Sequence, residues 1–176
     1  MTRIRKSRQG VVVELDDQEA AAVRALMEQL LGLLGDPPAP DDELAALGIS
    51  DSAETPDDPV LARLFPDAYQ GDGEAADEFR RYTEMGLRDG KREAARTVLS
   101  ALDDHTDARG HVRTVLDEKQ SRAWLTSLND LRLTLGTRLN ITEDRPLPPP
   151  GDPLLPLYAA YDWLTMLQDD LVNAVH

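Results

Sequence analysis

Cysteine is absent from the 176 residues, which excludes disulfides, thiolate zinc sites, iron–sulfur clusters and cysteine nucleophiles. Aromatic residues are also scarce, at 5% of the chain. No apolar run approaches the roughly 18 residues that a membrane-spanning helix needs, and no apolar signal region follows the basic N-terminus. We therefore expect a cytoplasmic protein with no membrane contact. A chain of this length, with 41% hydrophobic residues, is expected to form a single domain over residues 1–176.

Basic charge is scarce as well, since 19 Lys and Arg residues stand against 33 Asp and Glu residues, for a net charge of −14. Residues 1–10 hold four basic residues and no acid, so residues 11–176 carry −18. The four are Arg3, Arg5, Lys6 and Arg8. A body of this charge repels DNA phosphates, so we expect no direct DNA binding. The basic arm is either a solvated chain end or a contact for a phosphate or an acidic partner.

Apolar residues repeated every three or four positions predict a mainly α-helical domain of about five helices. Asp16 with Glu19 forms a capping box, and the helix that follows ends at Gly35. Asp117 with Gln120 repeats this arrangement ahead of the strongest apolar stripe, which predicts the central helix. The stripe consists of Trp124, Leu125, Leu128, Leu131, Leu135 and Leu139.

Two more helices are indicated between residues 58 and 103. Asp58 followed by Pro59 predicts a short helix that ends before Pro66. A long helix is predicted from residue 74 to about residue 103. Glycine costs roughly 1 kcal/mol in a helix interior relative to alanine. We therefore expect a break or a close helix contact at Gly86 and Gly90.

Two proline-rich segments predict connectors. The first, about residues 36–58, is an acidic and mobile loop without Lys or Arg, with at most a short helix over residues 42–47. It is either a solvated loop or a docking segment for a basic partner. The second covers residues 146–156, and Asp152 with Pro153 predicts the start of the last helix.

Residues 3–15 predict a small N-terminal β-hairpin. Gln9 and Gly10 form a plausible turn, and the three β-branched residues that follow, Val11 to Val13, favour a strand over a helix. Residues 111–116 are also rich in β-branched residues and are predicted to pair with the hairpin as a further strand.

No catalytic or cofactor-binding motif is present, since the chain contains no G-x-S-x-G, no phosphate-binding Gly-Lys-Ser/Thr loop and no G-x-G-x-x-G. One cluster has residue types that suit a divalent metal: Asp103, Asp104, His105, Asp107 and His111. Its spacing matches no metal signature, and a polar helix end explains it as well. We expect neither metal nor cofactor. The alternative is an enzyme of unrecognised type with an Asp, Glu or His site.

Polar residues lie among the leucines of the predicted central helix. The four candidate site residues are Asn129, Asp130, Arg132 and Arg138. Buried polar groups persist when they are paired by hydrogen bonds. The four therefore form either a structural network that fixes helix register or a patch that binds a protein partner.

Large side chains on the last two predicted helices favour self-association. Trp124, Tyr158, Tyr161 and Trp163 exceed what a single contact between two helices needs. We expect a symmetric homodimer, which is the commonest closed assembly.

Three stretches carry a resemblance to a known family: residues 61–69 (LARLFPDAY), residues 78–83 (EFRRYT) and residues 124–139. They resemble an actinobacterial family of unknown function of the AosR-like type, an oxidative-stress transcription regulator, over residues 3–175. An excess of Arg over Lys, 16 against 3, suits an actinomycete of high GC content.

The resemblance implies a non-enzymatic regulatory protein that acts by protein–protein interaction, with a transcription factor or a sigma factor as partner. Redox sensing in the AosR-like type is attributed to a C-x-x-x-C pair, which this chain lacks. Any redox sensor is therefore expected in a partner or upstream.

Overall fold

The computed structural model describes residues 1–35, 58–66, 73–144 and 147–176. These residues form five helices and three strands, in the order β1 (Arg3–Ser7), β2 (Gly10–Leu15), α1 (Asp17–Leu34), α2 (Pro59–Leu64), α3 (Gly73–Asp104), β3 (Val112–Leu116), α4 (Glu118–Arg138) and α5 (Leu155–Val175). The mainly α fold is confirmed. The predicted helix over residues 42–47 and the predicted acidic loop, apart from Asp58, lie outside the described residues.

The three strands form one antiparallel sheet in the order β1-β2-β3, which confirms the hairpin and the additional strand. Ser7 pairs with Gly10, so the turn consists of Arg8 and Gln9 and the predicted turn is wrong by one residue. Gly10 belongs to β2, with a φ of +139°, and a Cβ atom there would overlap the carbonyl oxygen of Leu116 on β3. Only glycine accommodates this close approach.

Side-chain caps begin α1, α2 and α4 as predicted. The Asp16 carboxylate accepts from the Glu19 N–H and the Glu19 carboxylate accepts from the Asp16 N–H, both at 2.9 Å. The Asp117 carboxylate accepts from the Gln120 N–H at 2.7 Å and the Gln120 amide oxygen accepts from the Asp117 N–H at 3.0 Å. Asp58 caps α2. These bonds satisfy N–H groups that have no partner within the first turn of a helix.

Two helix predictions are wrong. α3 continues through Gly86 and Gly90, and a Cβ atom added at either would have no neighbour within 4 Å. The helix therefore has no break there, and neither glycine has a close contact among the described residues. α5 begins at Leu155, not at Asp152. The Asp152 carboxylate instead accepts from the Leu154 N–H at 2.8 Å and forms a turn before the helix.

The core lies between the sheet and the helices, with α4 as its central element. α4 contacts α1, α2, α3, α5 and β3, which confirms the predicted central helix. Trp124 and Leu128 on α4 are completely buried, as are Met27 on α1 and Leu164 on α5. Burying such side chains is the main contribution to the stability of the fold.

In the described part of the chain, no helix is long and apolar enough to cross a bilayer.

Candidate functional site

Asp130 lies on the side of α4 that faces α3, where it is 1% exposed. Lys91 on α3 donates to Oδ1 of Asp130 at 2.7 Å, while Oδ2 has no hydrogen-bond partner among the described residues. Burial raises the pKa of Asp130, and the hydrogen bond and charge of Lys91 oppose this effect. The side chain of Asp130 is 1% exposed and that of Lys91 is 17% exposed, so the loss of water around Asp130 offsets much of the attraction within the pair.

The aromatic ring of Phe65 lies next to this pair, directly after α2. The guanidinium of Arg88 lies 4.8 Å from the ring centroid, and Nζ of Lys91 lies 5.9 Å from it. Arg88 and Arg92 also donate to the carbonyl oxygens at the end of α1, at 2.7 and 2.8 Å. Carbonyls at a helix C-terminus carry partial negative charge, so these arginines stabilise the end of α1.

The roles of Lys91, Arg88 and Arg92 were not predicted from the sequence. The sequence indicates them only indirectly. A buried aspartate such as Asp130 needs a basic partner, and here a neighbouring helix supplies it.

Arg132 faces α5, on the opposite side of α4 from Lys91. Its Nε donates to Oγ1 of Thr165 at 3.0 Å and its Nη1 donates to Oε1 of Gln168 at 2.9 Å. The guanidinium also lies 5.6 Å from the centroid of the Tyr161 ring. All of these partners are neutral. The positive charge of Arg132 therefore has no carboxylate partner among the described residues.

A cleft of about 380 Å³ opens beside Arg132, between α2, α4 and α5. Its charged and amide lining consists of Arg63, Asn129, Arg132 and Asn140, without an Asp or Glu among the described residues. We call it the arginine cleft. The charged side chains of its described lining are both arginines, on a protein whose net charge is −14.

The four candidate residues of α4 point in different directions. Asn129 is exposed at the arginine cleft, where the structure places it together with Arg132. Asp130 faces α3 instead. Arg138 is exposed and lines a narrow hollow between α1 and α4. A role of these residues in partner binding stays a prediction.

Asp103 and Asp104 of the histidine and aspartate cluster end α3, and His105, Asp107 and His111 lie in the exposed turn between α3 and β3. Oδ1 of Asp107 accepts from the N–H groups of His111 and Arg109, at 3.0 and 2.8 Å, and these bonds hold the pKa of Asp107 below its usual value. Nδ1 of His105 lies 2.9 Å from the carbonyl oxygen of Ala101. In the described part of the chain, no three His, Asp or Glu side chains are grouped so that they could hold a metal ion.

Exposed leucines are concentrated in residues 147–157. Leu147 is 90% exposed, Leu154 is 43% exposed, and Leu155 and Leu157 are each 37% exposed. The other large exposed apolar side chains of the described residues lie apart along the chain, at Met1, Leu87, Val115, Met166 and Val172. We call Leu147, Leu154, Leu155 and Leu157, with the chain between them, the leucine segment. Sequence analysis predicted a connector here but not the exposure of its leucines.

The aromatic residues behind the homodimer prediction are only partly available at the surface. Trp124 is completely buried in the core and contributes nothing to an interface. Nε1 of Trp163 donates to Oγ1 of Thr2 at 3.3 Å. Tyr158 and Tyr161 are half-buried. The homodimer stays a prediction, with less support than these residues suggested.

Fold and site together define a mainly helical, cysteine-free domain with a positively charged cleft and an exposed apolar segment. The chain belongs to the family described as a domain of unknown function (DUF2017), whose profile matches residues 1–175. It is 38% identical to the putative oxidative stress regulator AosR of Mycobacterium leprae, over 89% of this chain and 78% of that protein. It is 36% identical to the oxidative stress regulator AosR of Mycobacterium tuberculosis, over 90% and 78% of the two chains. No solved structure matches. The family resemblance is confirmed.

Proposed function

We propose that this protein is a non-enzymatic regulator of transcription that binds another protein through the leucine segment. Relatives named oxidative stress regulators support a regulatory role. The observation that carries the binding mode is the exposure of Leu154, Leu155 and Leu157 at the start of α5. Contiguous exposed apolar patches mark interaction sites, whereas single exposed leucines do not.

The backbone of the leucine segment is already restricted before any partner binds. The Asp152 N–H donates to the carbonyl oxygen of Pro149 at 3.1 Å, and the Asp152 carboxylate accepts from Leu154. Prolines at positions 148, 149, 150, 153 and 156 restrict it further. Because little conformational freedom is left to lose, more of the free energy of apolar burial contributes to affinity. Burying a leucine side chain fully contributes about 1.5–3 kcal/mol.

The proposed partner is a transcription protein, either a sigma factor or a transcription factor. The net charge of −14 disfavours direct contact with DNA. Two basic residues of the N-terminal hairpin have partners within the chain: Arg5 lies 3.9 Å from Glu14, and Nζ of Lys6 donates to the carbonyl oxygen of His176 at 3.3 Å. An effect on a promoter would therefore need a second protein. The alternative function is an enzyme that uses His105 or His111. Both residues lie in an exposed turn, and no observation on the described residues favours catalysis there over protein binding.

Biolayer interferometry with the purified sigma factors, transcription factors and RNA polymerase of the host organism tests the proposal. We expect the wild-type protein to bind one of them. The double substitution Leu154→Ser and Leu157→Ser should weaken this binding by roughly tenfold or more, because two apolar contacts are lost.

Leu87→Ser is the matched control, since Leu87 lies on α3 away from the segment and is 50% exposed. Failure of the wild-type protein to bind any of these proteins, or equal binding by the double variant, contradicts the proposal.

Light scattering of the same samples shows whether the proposed homodimer uses the same leucines, since the monomer mass is 19.5 kDa.

A further inference from the structure

Among the residues that the structure describes, the two guanidinium groups of the arginine cleft have no anionic partner. Arg132 is half-buried and bonds to the neutral groups of Thr165 and Gln168. Arg63, at the mouth of the cleft, is exposed. A partly desolvated cation without a counterion is unfavourable. The cleft therefore favours an anionic occupant.

The walls of the cleft are mixed in character. Leu133, Ile141 and the ring of Tyr161 supply apolar surface, and Asn129 and Asn140 supply amide groups. Apolar walls with a few polar groups are typical of sites for small molecules, and about 380 Å³ falls within the range of such sites. A small inorganic anion would leave the apolar walls unfilled. A planar guanidinium matches the two oxygens of a carboxylate.

The C-terminal end of α4 also borders the cleft, and free carbonyls there would repel an anion. Two of the carbonyls that line the cleft accept hydrogen bonds within the chain. Gly136 accepts from the N–H of Ile141 at 2.9 Å, and Thr137 accepts from the N–H of Asn140 at 3.2 Å. Asn140 adopts the left-handed conformation, with a φ of 50°, which closes this turn. The guanidinium groups thus set the sign of the charge that the cleft prefers.

We propose that the arginine cleft binds a small organic carboxylate. Its carboxylate group lies between Arg63 and Arg132, and its apolar body lies against Tyr161 and Ile141. The arginine cleft does not include the leucine segment, so carboxylate binding can be tested independently of the proposed protein partner.

Isothermal titration calorimetry with benzoate, benzamide and inorganic phosphate tests the class of ligand. We expect saturable binding of one benzoate per chain. Benzamide has the same ring without the charge and should bind roughly tenfold more weakly, since a charge-assisted hydrogen bond is lost. Phosphate should also bind more weakly than benzoate, because it cannot fill the apolar part of the cleft. Absence of saturable benzoate binding, or a preference for phosphate, overturns the proposal.

Substitutions locate the binding to the cleft. Arg132→Gln and Arg63→Gln should each weaken benzoate binding by roughly tenfold. Arg132 also joins α4 to α5, so Arg132→Gln can unfold the protein. Arg63 is exposed, and Arg63→Gln then tests by itself whether benzoate binds in the cleft. Arg138→Gln removes the same charge from an exposed position of α4 outside the cleft and should change nothing. Equal weakening by Arg138→Gln would mean a general charge effect and would overturn the site.

Discussion

Single residues of α4 show how polar side chains are used within an apolar helix. Asp130 bonds to Lys91 on α3, and Arg132 bonds to Thr165 and Gln168 on α5. Each side chain thus joins α4 to a different neighbour. The polar positions interrupt the leucine pattern because they connect helices at defined points, and one of them also borders the arginine cleft.

Burial of Asp130 gives a prediction for the pH dependence of stability. Its raised pKa means that the folded protein binds the proton more tightly than the unfolded chain does. The contribution of Asp130 to stability is therefore fully present below the ordinary aspartate pKa and is lost as pH rises through the folded pKa. Asparagine does not titrate, so the stability of Asp130→Asn relative to wild type should increase as pH rises through this window. Urea unfolding at a series of pH values measures this difference.

Asp107→Asn is the control with the opposite sign. Hydrogen bonds from the His111 and Arg109 N–H groups lower the pKa of Asp107. Its contribution to stability is present above the ordinary aspartate pKa and is lost as pH falls through the lower folded value. The stability of Asp107→Asn relative to wild type should therefore decrease with rising pH. A slope of the opposite sign to the predicted one, for either variant, would contradict the pKa assignment of that residue.

For Asp130 and Arg132, the hydrogen-bond partners were harder to predict from the sequence than the burial of the side chains. Asp130 lies among leucines, which indicates burial directly. Lys91 lies 39 positions away on another helix, and Thr165 lies 33 positions from Arg132. Many basic and polar residues lie at such distances, and only the packing of the helices selects among them.

Among the helices and strands, the boundaries set by local chemistry were predicted best. A capping box depends on residues within one turn, so Asp16 and Asp117 mark helix starts on their own. The break expected at Gly86 and Gly90 depended on glycine propensity alone. The intrinsic cost of glycine is small beside the packing of α3 against α1 and α4, and the helix continues.

The open surroundings of these glycines predict stabilising substitutions. Gly86→Ala and Gly90→Ala should each raise the free energy of unfolding by about 0.5–1 kcal/mol, because alanine loses less backbone entropy in a helix. Urea unfolding measures the change. Gly136→Ala is the comparison, since its Cβ atom would lie 3.3 Å from Cε2 of Tyr161 and should gain less. A destabilised Gly86→Ala variant would show that α3 has a contact or a bend there.

Across the whole molecule, the absence of cysteine limits how the protein responds to oxidants. Reversible thiol sensing needs a thiolate, and this chain has none. Met27 is completely buried, while Met166 is 63% exposed. Methionine oxidation is not reversed by a thiol reductant alone. We therefore place any reversible thiol sensor in the partner or upstream of it.

The two proposed binding surfaces depend on how the helices pack in the whole molecule. Helical periodicity predicted the fold class and the central helix, because both depend on patterns within short windows. The arginine cleft requires α2, α4 and α5 to meet, and no local pattern specifies that meeting. The leucines of residues 147–157 are visible in the sequence, but their exposure depends on how α5 packs.

Regulation through the leucine segment is tested most directly by transcript measurements in the host organism. A strain lacking the gene is complemented with the wild-type protein, with the Leu154→Ser and Leu157→Ser double variant, or with Leu87→Ser. Transcripts are measured after mild peroxide treatment at matched protein levels. We expect the wild type and Leu87→Ser to restore the transcript pattern, and the double variant to leave the pattern of the deletion strain. Full restoration by the double variant would contradict regulation through this segment.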